Sequence, residues 1–174
     1  SHGLKAAGGT LRRRPSDWDL ITTFDGLQTL TGRLRRFSSR VESIPLSESK
    51  TVLRVSDGVY KGMVEVEIAW PGSTGEELMR LVPDASRPFA DCLVRIPTID
   101  QLYTIKLSHR YLKNSPHFLK TLDDVEYFRS IDAKVFDVAW LKRREAETYT
   151  YKHPKLNVMK GDFFKGDGVE YVYD

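Results

Sequence analysis

Two aspartates one residue apart, Asp17 and Asp19, are the side chains of this sequence with the clearest capacity for chemistry. They lie in an apolar run that reads as a strand, where residues i and i+2 point to the same face. Two carboxylates aimed at one place repel each other unless a cation lies between them. Mg²⁺ suits such a site because it binds one or two carboxylates and keeps its other positions for water and phosphate. The pair therefore predicts a divalent metal site.

A glycine turn, Gly8-Gly9-Thr10, precedes the two aspartates. Glycine lets the backbone approach a ligand closely, and the N–H groups of such a turn can bind a phosphate. A phosphate turn followed by a metal site predicts a protein that handles phosphate esters. The alternative is a solvated turn in which Asp17 and Asp19 accept hydrogen bonds from nearby backbone amides.

The order of these residues resembles the signature of the polymerase-β-like nucleotidyltransferases, in which two glycines, a loop and Asp-x-Asp follow one another. The pattern Gly-Gly-Thr…Arg-x-Ser-Asp-x-Asp is most similar to the branch that includes the AbiEii-type toxins of toxin–antitoxin systems. The resemblance implies that Asp17 and Asp19 are catalytic metal ligands. The nucleotide-binding residues that it implies at this turn are Gly8, Gly9, Thr10 and Ser16. The chain departs from the branch in one respect. Only six residues separate Thr10 from Asp17, and this loop is shorter than the one expected for the branch.

A third carboxylate is expected on a later strand. Asp57-Gly58 is a turn signal between two alternating segments, 51–55 and 60–70, which predicts a β-hairpin. The resemblance implies a metal-binding glutamate on the returning strand, where the branch often reads Val-Glu-Ile. Glu67 matches that position and Glu65 is the second choice. Both glutamates also fit the solvated face of an antiparallel strand.

A helix is predicted from Ile99 to Lys113, with Thr98 as its N-cap. Its cations recur at i, i+3, i+4 and i+7, which places them on one face; they are Lys106, His109, Arg110 and Lys113. The pattern Leu-Tyr-x-Ile-Lys-x-Ser-x-Arg is similar to a helix of the AbiEii-like proteins whose lysine faces the nucleotide. The resemblance implies that role for Lys106 and a nucleotide contact for Arg110. A solvated helix flank would show the same spacing.

The next helix is predicted to begin at Ser115-Pro116 and to carry a basic-x-x-Asp pattern that resembles the closing motif of the same family. The resemblance implies that Asp124 returns to the active site beside Lys106, where it orients the lysine or accepts a proton. Asp123 is the second choice. The alternative is a surface carboxylate paired with a neighbouring cation of its own helix.

The expected fold class is α/β (α+β), with the nucleotidyltransferase fold: a small mixed sheet flanked by helices, followed by a helical C-terminal part. The expected boundaries are residues 4–97 for the catalytic core, 98–147 for a helical part that packs on it, and 148–174 for an irregular and truncated tail. Residues 43–49 and 84–88 read as loops, and Cys92–Ile96 reads as a short buried strand.

The composition indicates a globular protein and bears on its membrane contacts and its compartment. The 174 residues are 40% hydrophobic and 29% charged, which is ordinary for a globular chain. No run reaches the eighteen or so apolar residues of a membrane helix, so we expect no membrane partner. The single cysteine, Cys92, excludes an intrachain disulfide and is typical of a reducing compartment, which favours the cytoplasm.

The leading hypothesis is a Mg²⁺-dependent nucleotidyltransferase that moves a nucleotidyl group from an NTP such as ATP to a hydroxyl of RNA, tRNA or protein. Two Mg²⁺ ions, or Mn²⁺ in their place, would be held by Asp17, Asp19 and Glu67. Clusters of arginine in a chain of net charge +3 favour RNA as the acceptor. The alternative is a catalytically degenerate module of the same fold that binds nucleic acid or nucleotide, and the short glycine loop favours it.

Overall fold

The computed structural model describes residues 17–56, 61–83, 86–89, 92–110 and 118–149. Within these ranges the protein is a mixed α/β structure with a four-stranded mixed sheet, a two-stranded hairpin and five helices. The chain divides into two compact units, Ser1–Pro97 and Thr98–Asp174, called here the first and second units. Among the helices described, none is both long and apolar enough to cross a membrane.

The four-stranded sheet belongs to the first unit. Its strands are β1 (Trp18–Thr22), β2 (Arg40–Ser47), β3 (Lys50–Ser56) and β4 (Lys61–Ile68), in the spatial order β1-β4-β3-β2. β4 is parallel to β1 and antiparallel to β3, and β2 pairs antiparallel with β3. The predicted pairing of β3 with β4 is confirmed, while its turn, Asp57-Gly58, lies outside the described residues.

One face of this sheet is covered by α1 (Phe24–Phe37). The helix begins after Thr23, whose Oγ1 accepts a hydrogen bond from the Gly26 amide at 3.1 Å. Its apolar residues recur at helical spacing and are buried against alternate residues of β3 and β4; the core they form contains Leu27, Leu30, Leu34, Leu53, Val64, Val66 and Ile68. Because side chains alternate along a strand, the residues between them lie on the opposite face, which we call the far face.

The expectation of a loop over residues 43–49 is wrong, because β2 occupies most of it. β2 is an edge strand, and an edge is where a sheet tolerates a residue without an N–H such as Pro45. The pairing with β3 shifts register between Pro45 and Ser47. The hydroxyls of Ser38 and Ser39 donate to the Ser56 carbonyl, which ties the start of β2 to the end of β3.

The first unit also contains α2 (Thr74–Leu81) and a hairpin of β5 (Ser86–Phe89) and β6 (Cys92–Arg95). Ser73 caps α2, since its Oγ accepts from the Glu76 amide at 3.2 Å. The hairpin corrects two expectations. Most of the expected loop at 84–88 belongs to β5, and the expected buried strand is not wholly buried, because Leu93 is 76% exposed.

The second unit is helical, with α3 (Ile99–Leu107), α4 (Phe118–Ser130) and α5 (Val138–Tyr149). The predicted start of α3 is confirmed by a capping box in which Thr98 and Gln101 each bond the backbone N–H of the other. The predicted end at Lys113 is wrong, because the helix ends at Leu107. Thr104 of α3 is fully buried and its Oγ1 accepts from the Phe136 amide at 3.1 Å, which joins α3 to the segment before α5.

The end of α4 uses a left-handed residue. The amide of Asp132 donates to the Arg129 carbonyl and that of Ala133 to the Phe128 carbonyl, both at 3.0 Å, which are the two bonds of a Schellman motif. Asp132 has a φ of 60°. Its carboxylate also accepts a hydrogen bond from Lys134, which raises the pKa of that lysine.

Leu53 tests the packing of the sheet against α1. Its side chain is fully buried, so we expect Leu53→Ala to lower the free energy of unfolding by about 2–5 kcal/mol, through lost burial and the cavity left behind. Leu93→Ala is the matched control in the same unit and should change it by less than about 0.5 kcal/mol, because that side chain is exposed. Urea denaturation followed by tryptophan fluorescence measures both. Equal effects of the two substitutions would contradict the described core.

Asp132 tests the left-handed end of α4. A β-branched residue there is strained, so Asp132→Val should lower the free energy of unfolding by about 1–2 kcal/mol. Asp132→Gly should cause no such loss, because glycine adopts a positive φ without a steric penalty. The same denaturation measurement compares them, and a Val variant as stable as the Gly variant would contradict the geometry.

Candidate functional site

The parallel pairing of β1 with β4 brings the predicted carboxylates of the first unit onto one face. Asp19 pairs with Glu65, and Ile21 pairs with Glu67. Asp17 directly precedes β1. By strand alternation, Asp19, Glu65 and Glu67 lie on the far face, away from α1. Neighbouring strands are about 4.8 Å apart, so the backbones of Asp19 and Glu65 are adjacent.

Glu65 has a cationic neighbour on the far face. Lys50, the first residue of β3, forms an ion pair with the Glu65 carboxylate. The two side chains are 27% and 29% exposed, so solvent reaches the pair and its contribution to stability is small. The consequence is electrostatic: any cation that binds Glu65 competes with Lys50.

Glu67 lies against the first turn of α2. A methyl group added at Gly75 would lie 3.2 Å from Glu67 Oε1 and 3.5 Å from Ile21 Cγ2. A helix N-terminus carries backbone N–H groups without intrahelical partners and the positive end of the helix dipole, which favours a carboxylate nearby. The missing side chain of Gly75 lets α2 approach the far face closely enough to make this contact.

The carboxylates share a face without converging into a ligand set. Across the ranges 17–56, 61–83, 86–89, 92–110 and 118–149, no three His, Cys, Asp or Glu side chains lie close enough together to hold a metal ion. The backbone register therefore matches the predicted arrangement, and the metal site stays a prediction. The predicted phosphate-binding residues Gly8, Gly9, Thr10 and Ser16 lie outside the described residues.

A second cluster lies in the second unit, where α3 meets α4. Lys106 Nζ is 3.1 Å from Asp124 Oδ2, and the two side chains are 36% and 21% exposed. The lysine and the aspartate that the sequence paired are thus in contact. In the same helix, Arg129 Nε donates to the Tyr103 hydroxyl at 3.2 Å. Lys106 is thus a partly exposed ammonium in contact with Asp124.

Arg110 lies beyond the end of α3 and faces α5. It forms an ion pair with Glu145, and its Nη1 also donates to the Leu107 carbonyl at 3.0 Å. Its side chain is only 13% exposed. The predicted row of cations does not continue along α3 past Lys106, since the helix ends at Leu107, before His109 and Arg110. Lys113 lies outside the described residues. A nucleotide contact by Arg110 stays a prediction and would compete with Glu145.

Two residues near the carboxylates were missed by sequence reasoning, Lys50 and Gly75. Lys50 is the first residue of β3, and only the pairing with β4 places it near Glu65. Gly75 offered a weak signal, because a glycine in the first turn of a helix often marks a close approach of another group.

The family-model match found for this chain lies in the second unit. Residues 101–174 match a family model described as Domain of unknown function (DUF7275). The match spans less than half of the chain; it includes Lys106 and Asp124 and none of β1 to β4. No protein of curated function matches the chain.

Proposed function

We propose that this protein is a Mg²⁺-dependent nucleotidyltransferase that moves a nucleotidyl group from an NTP to a hydroxyl acceptor. The observation that carries the proposal is the parallel register of β1 and β4, which sets Asp19 beside Glu65 with Glu67 on the same face. Asp17 directly precedes β1. A glycine-rich segment precedes that face in the sequence. The four-stranded mixed sheet agrees with the α+β class, and the nucleotidyltransferase fold itself is part of the proposal.

The carboxylates of the far face fit Mg²⁺ chemically, since Mg²⁺ prefers oxygen ligands and binds through one or two carboxylates. Asp17 and Asp19 are the first ligands in the proposal. Glu67 is the third ligand in the proposal, because it matches the Val-Glu-Ile position that the resemblance implies, and Glu65 is the second choice. When bound, the metal lowers the pKa of the acceptor hydroxyl and balances charge on the leaving pyrophosphate.

The resemblance assigns Lys106 of the second unit to the nucleotide, and an ammonium of this kind suits the negative charge of a triphosphate. Lys106 keeps about a third of its side chain exposed, so its ammonium is accessible to an anion. Asp124 holds that ammonium in one place, so less reorganisation is needed when charge develops on the leaving phosphates. Lys106 is thus proposed as a nucleotide-binding residue and Asp124 as the residue that positions it.

A non-catalytic binding module is the second candidate, and one observation favours it. Both glutamates of β4 are engaged within the first unit, Glu65 by Lys50 and Glu67 by the first turn of α2. Binding of a metal by either glutamate would compete with these protein groups. A module of this kind would bind phosphates through its cations, with a steep dependence on salt and no requirement for Mg²⁺.

Asp19 tests the catalytic proposal. Incubating the protein with each α-³²P-labelled NTP, Mg²⁺ and total RNA or lysate should label one class of macromolecule. Asp19→Asn should reduce the rate about 10²–10³-fold, because removing a full charge from the metal site costs several kcal/mol of transition-state stabilisation. Asp25→Asn, at an exposed position of α1, is the matched control and should keep full activity. An Asp19→Asn variant that transfers label at the rate of the unmodified protein would refute the mechanism.

Lys106 tests the second cluster. Lys106→Met should lower kcat/KM at least about tenfold, because a charged contact to the triphosphate is lost. It should change the free energy of unfolding by less than about 1 kcal/mol, since the ion pair is partly exposed. Lys142→Met, at an exposed position of α5, is the control for loss of a lysine. Wild-type kcat/KM in Lys106→Met would remove this residue from the site.

A further inference from the structure

A basic hollow lies on the sheet of the first unit, at the end where β2 begins and β3 ends. It has a volume of about 430 Å³, and its lining includes Arg40, Arg54 and Lys61 from three adjacent strands. Arg40 and Lys61 both pair with Ser56, one from each side, and Arg54 lies two residues earlier on the central strand. By strand alternation, the three side chains lie on the far face, the face of Asp19 and Glu65.

The three cations of the hollow have little internal compensation. All three are exposed, and none forms an ion pair with another residue in the part of the chain that the structure describes. Glu42 is the one carboxylate in the lining, which leaves the hollow with two positive charges in excess. Like charges held together attract anions and raise their local concentration. The charge of the hollow therefore favours anions.

The arrangement of the charges suits a chain of phosphates. Strands are about 4.8 Å apart, so Arg40 and Lys61 are separated by roughly 10 Å across the sheet. Met63 adds apolar surface to the lining, on which a base can rest. From the register, the Cα atoms of Arg54 and Asp19 are roughly 12 Å apart, two strands across and two residues along. A strand of nucleic acid bound at the hollow would thus need only a short extension to reach Asp19.

We propose that the hollow formed by Arg40, Arg54 and Lys61 binds the phosphodiester backbone of single-stranded RNA. If the proposed nucleotidyl transfer is correct, this RNA is its acceptor, and that identification alone rests on the proposed function. The far face then has two ends with opposite roles. Cations hold the backbone at one end, and carboxylates lie where the terminal hydroxyl arrives at the other.

Binding can be measured separately from catalysis, by fluorescence anisotropy of a short labelled single-stranded RNA in EDTA without NTP. The triple variant Arg40→Gln/Arg54→Gln/Lys61→Gln should bind at least about tenfold more weakly at low salt. Its plot of log affinity against log salt should be shallower by about 2, because each lost phosphate contact removes roughly 0.7 from the slope. Arg40→Gln and Lys61→Gln alone should each weaken RNA binding by a part of this factor. These single variants test the hollow even if the triple variant misfolds.

The matched control removes three other exposed cations, in Arg35→Gln/Arg36→Gln/Lys142→Gln. Two of them are on α1, which covers the opposite face of the sheet. RNA affinity should stay within about twofold of the unmodified protein. An equal loss in the control and the hollow variant would mean diffuse charge and would overturn the proposal, as would unchanged binding by the hollow variant. Tripolyphosphate distinguishes a small ligand: a loss as large for it as for RNA would also overturn the RNA assignment.

The proposed function and the hollow can fail independently. Binding is measured on the hollow variants in EDTA, and transfer is measured on Asp19→Asn with Mg²⁺ and NTP, so neither result depends on the other. Full transfer activity in Asp19→Asn with binding lost in the hollow variant would refute the mechanism and keep the RNA site. Transfer to RNA that depends on Asp19, together with normal binding by the hollow variant, would do the reverse.

Discussion

The parallel pairing of β1 with β4 is the interaction on which the first unit depends. It fixes the register that sets Asp19 beside Glu65, and it joins the two strands whose alternate residues pack on α1. A slip of one residue would turn Leu20 away from the core and Asp19 into it. Because burying an unpaired carboxylate is costly, the hydrophobic core and the acidic face enforce the same register. Stability and the candidate site are therefore not separable here.

Charge is compensated locally in both units. In the first unit, Lys50 forms an ion pair with Glu65, and Glu67 lies against the first turn of α2. In the second, Lys106 pairs with Asp124 and Arg110 with Glu145. Such pairs add little to stability when solvent reaches them, but they fix the positions of charged groups. The basic hollow differs from them, because its cations exceed its carboxylates.

The sequence predicted the parts of the fold whose signals are local. β3 and β4 followed from alternation, and the start of α3 followed from its N-cap, Thr98. The parts that were missed depend on partners distant in sequence. β2 is polar and contains Pro45, so only its pairing with β3 identifies it as a strand. Likewise, α3 ends at Leu107 although its cationic pattern continues, and Arg110 pairs with Glu145, which lies far away in sequence.

The residues of the candidate site also divide into those that local sequence signals predicted and those that they did not. The parity of Asp17 and Asp19 was readable from spacing, and the Lys106–Asp124 contact agrees with the pairing that the resemblance implied. The ion pair between Lys50 and Glu65 and the approach of α2 to Glu67 could not be predicted, because both join residues that are distant in sequence or brought together only by the fold.

Pro45 has one more consequence. An edge strand normally offers a row of amide donors to any extended peptide, and a proline with a bulge interrupts that row. This border of the sheet is therefore a poor template for self-association through strand addition.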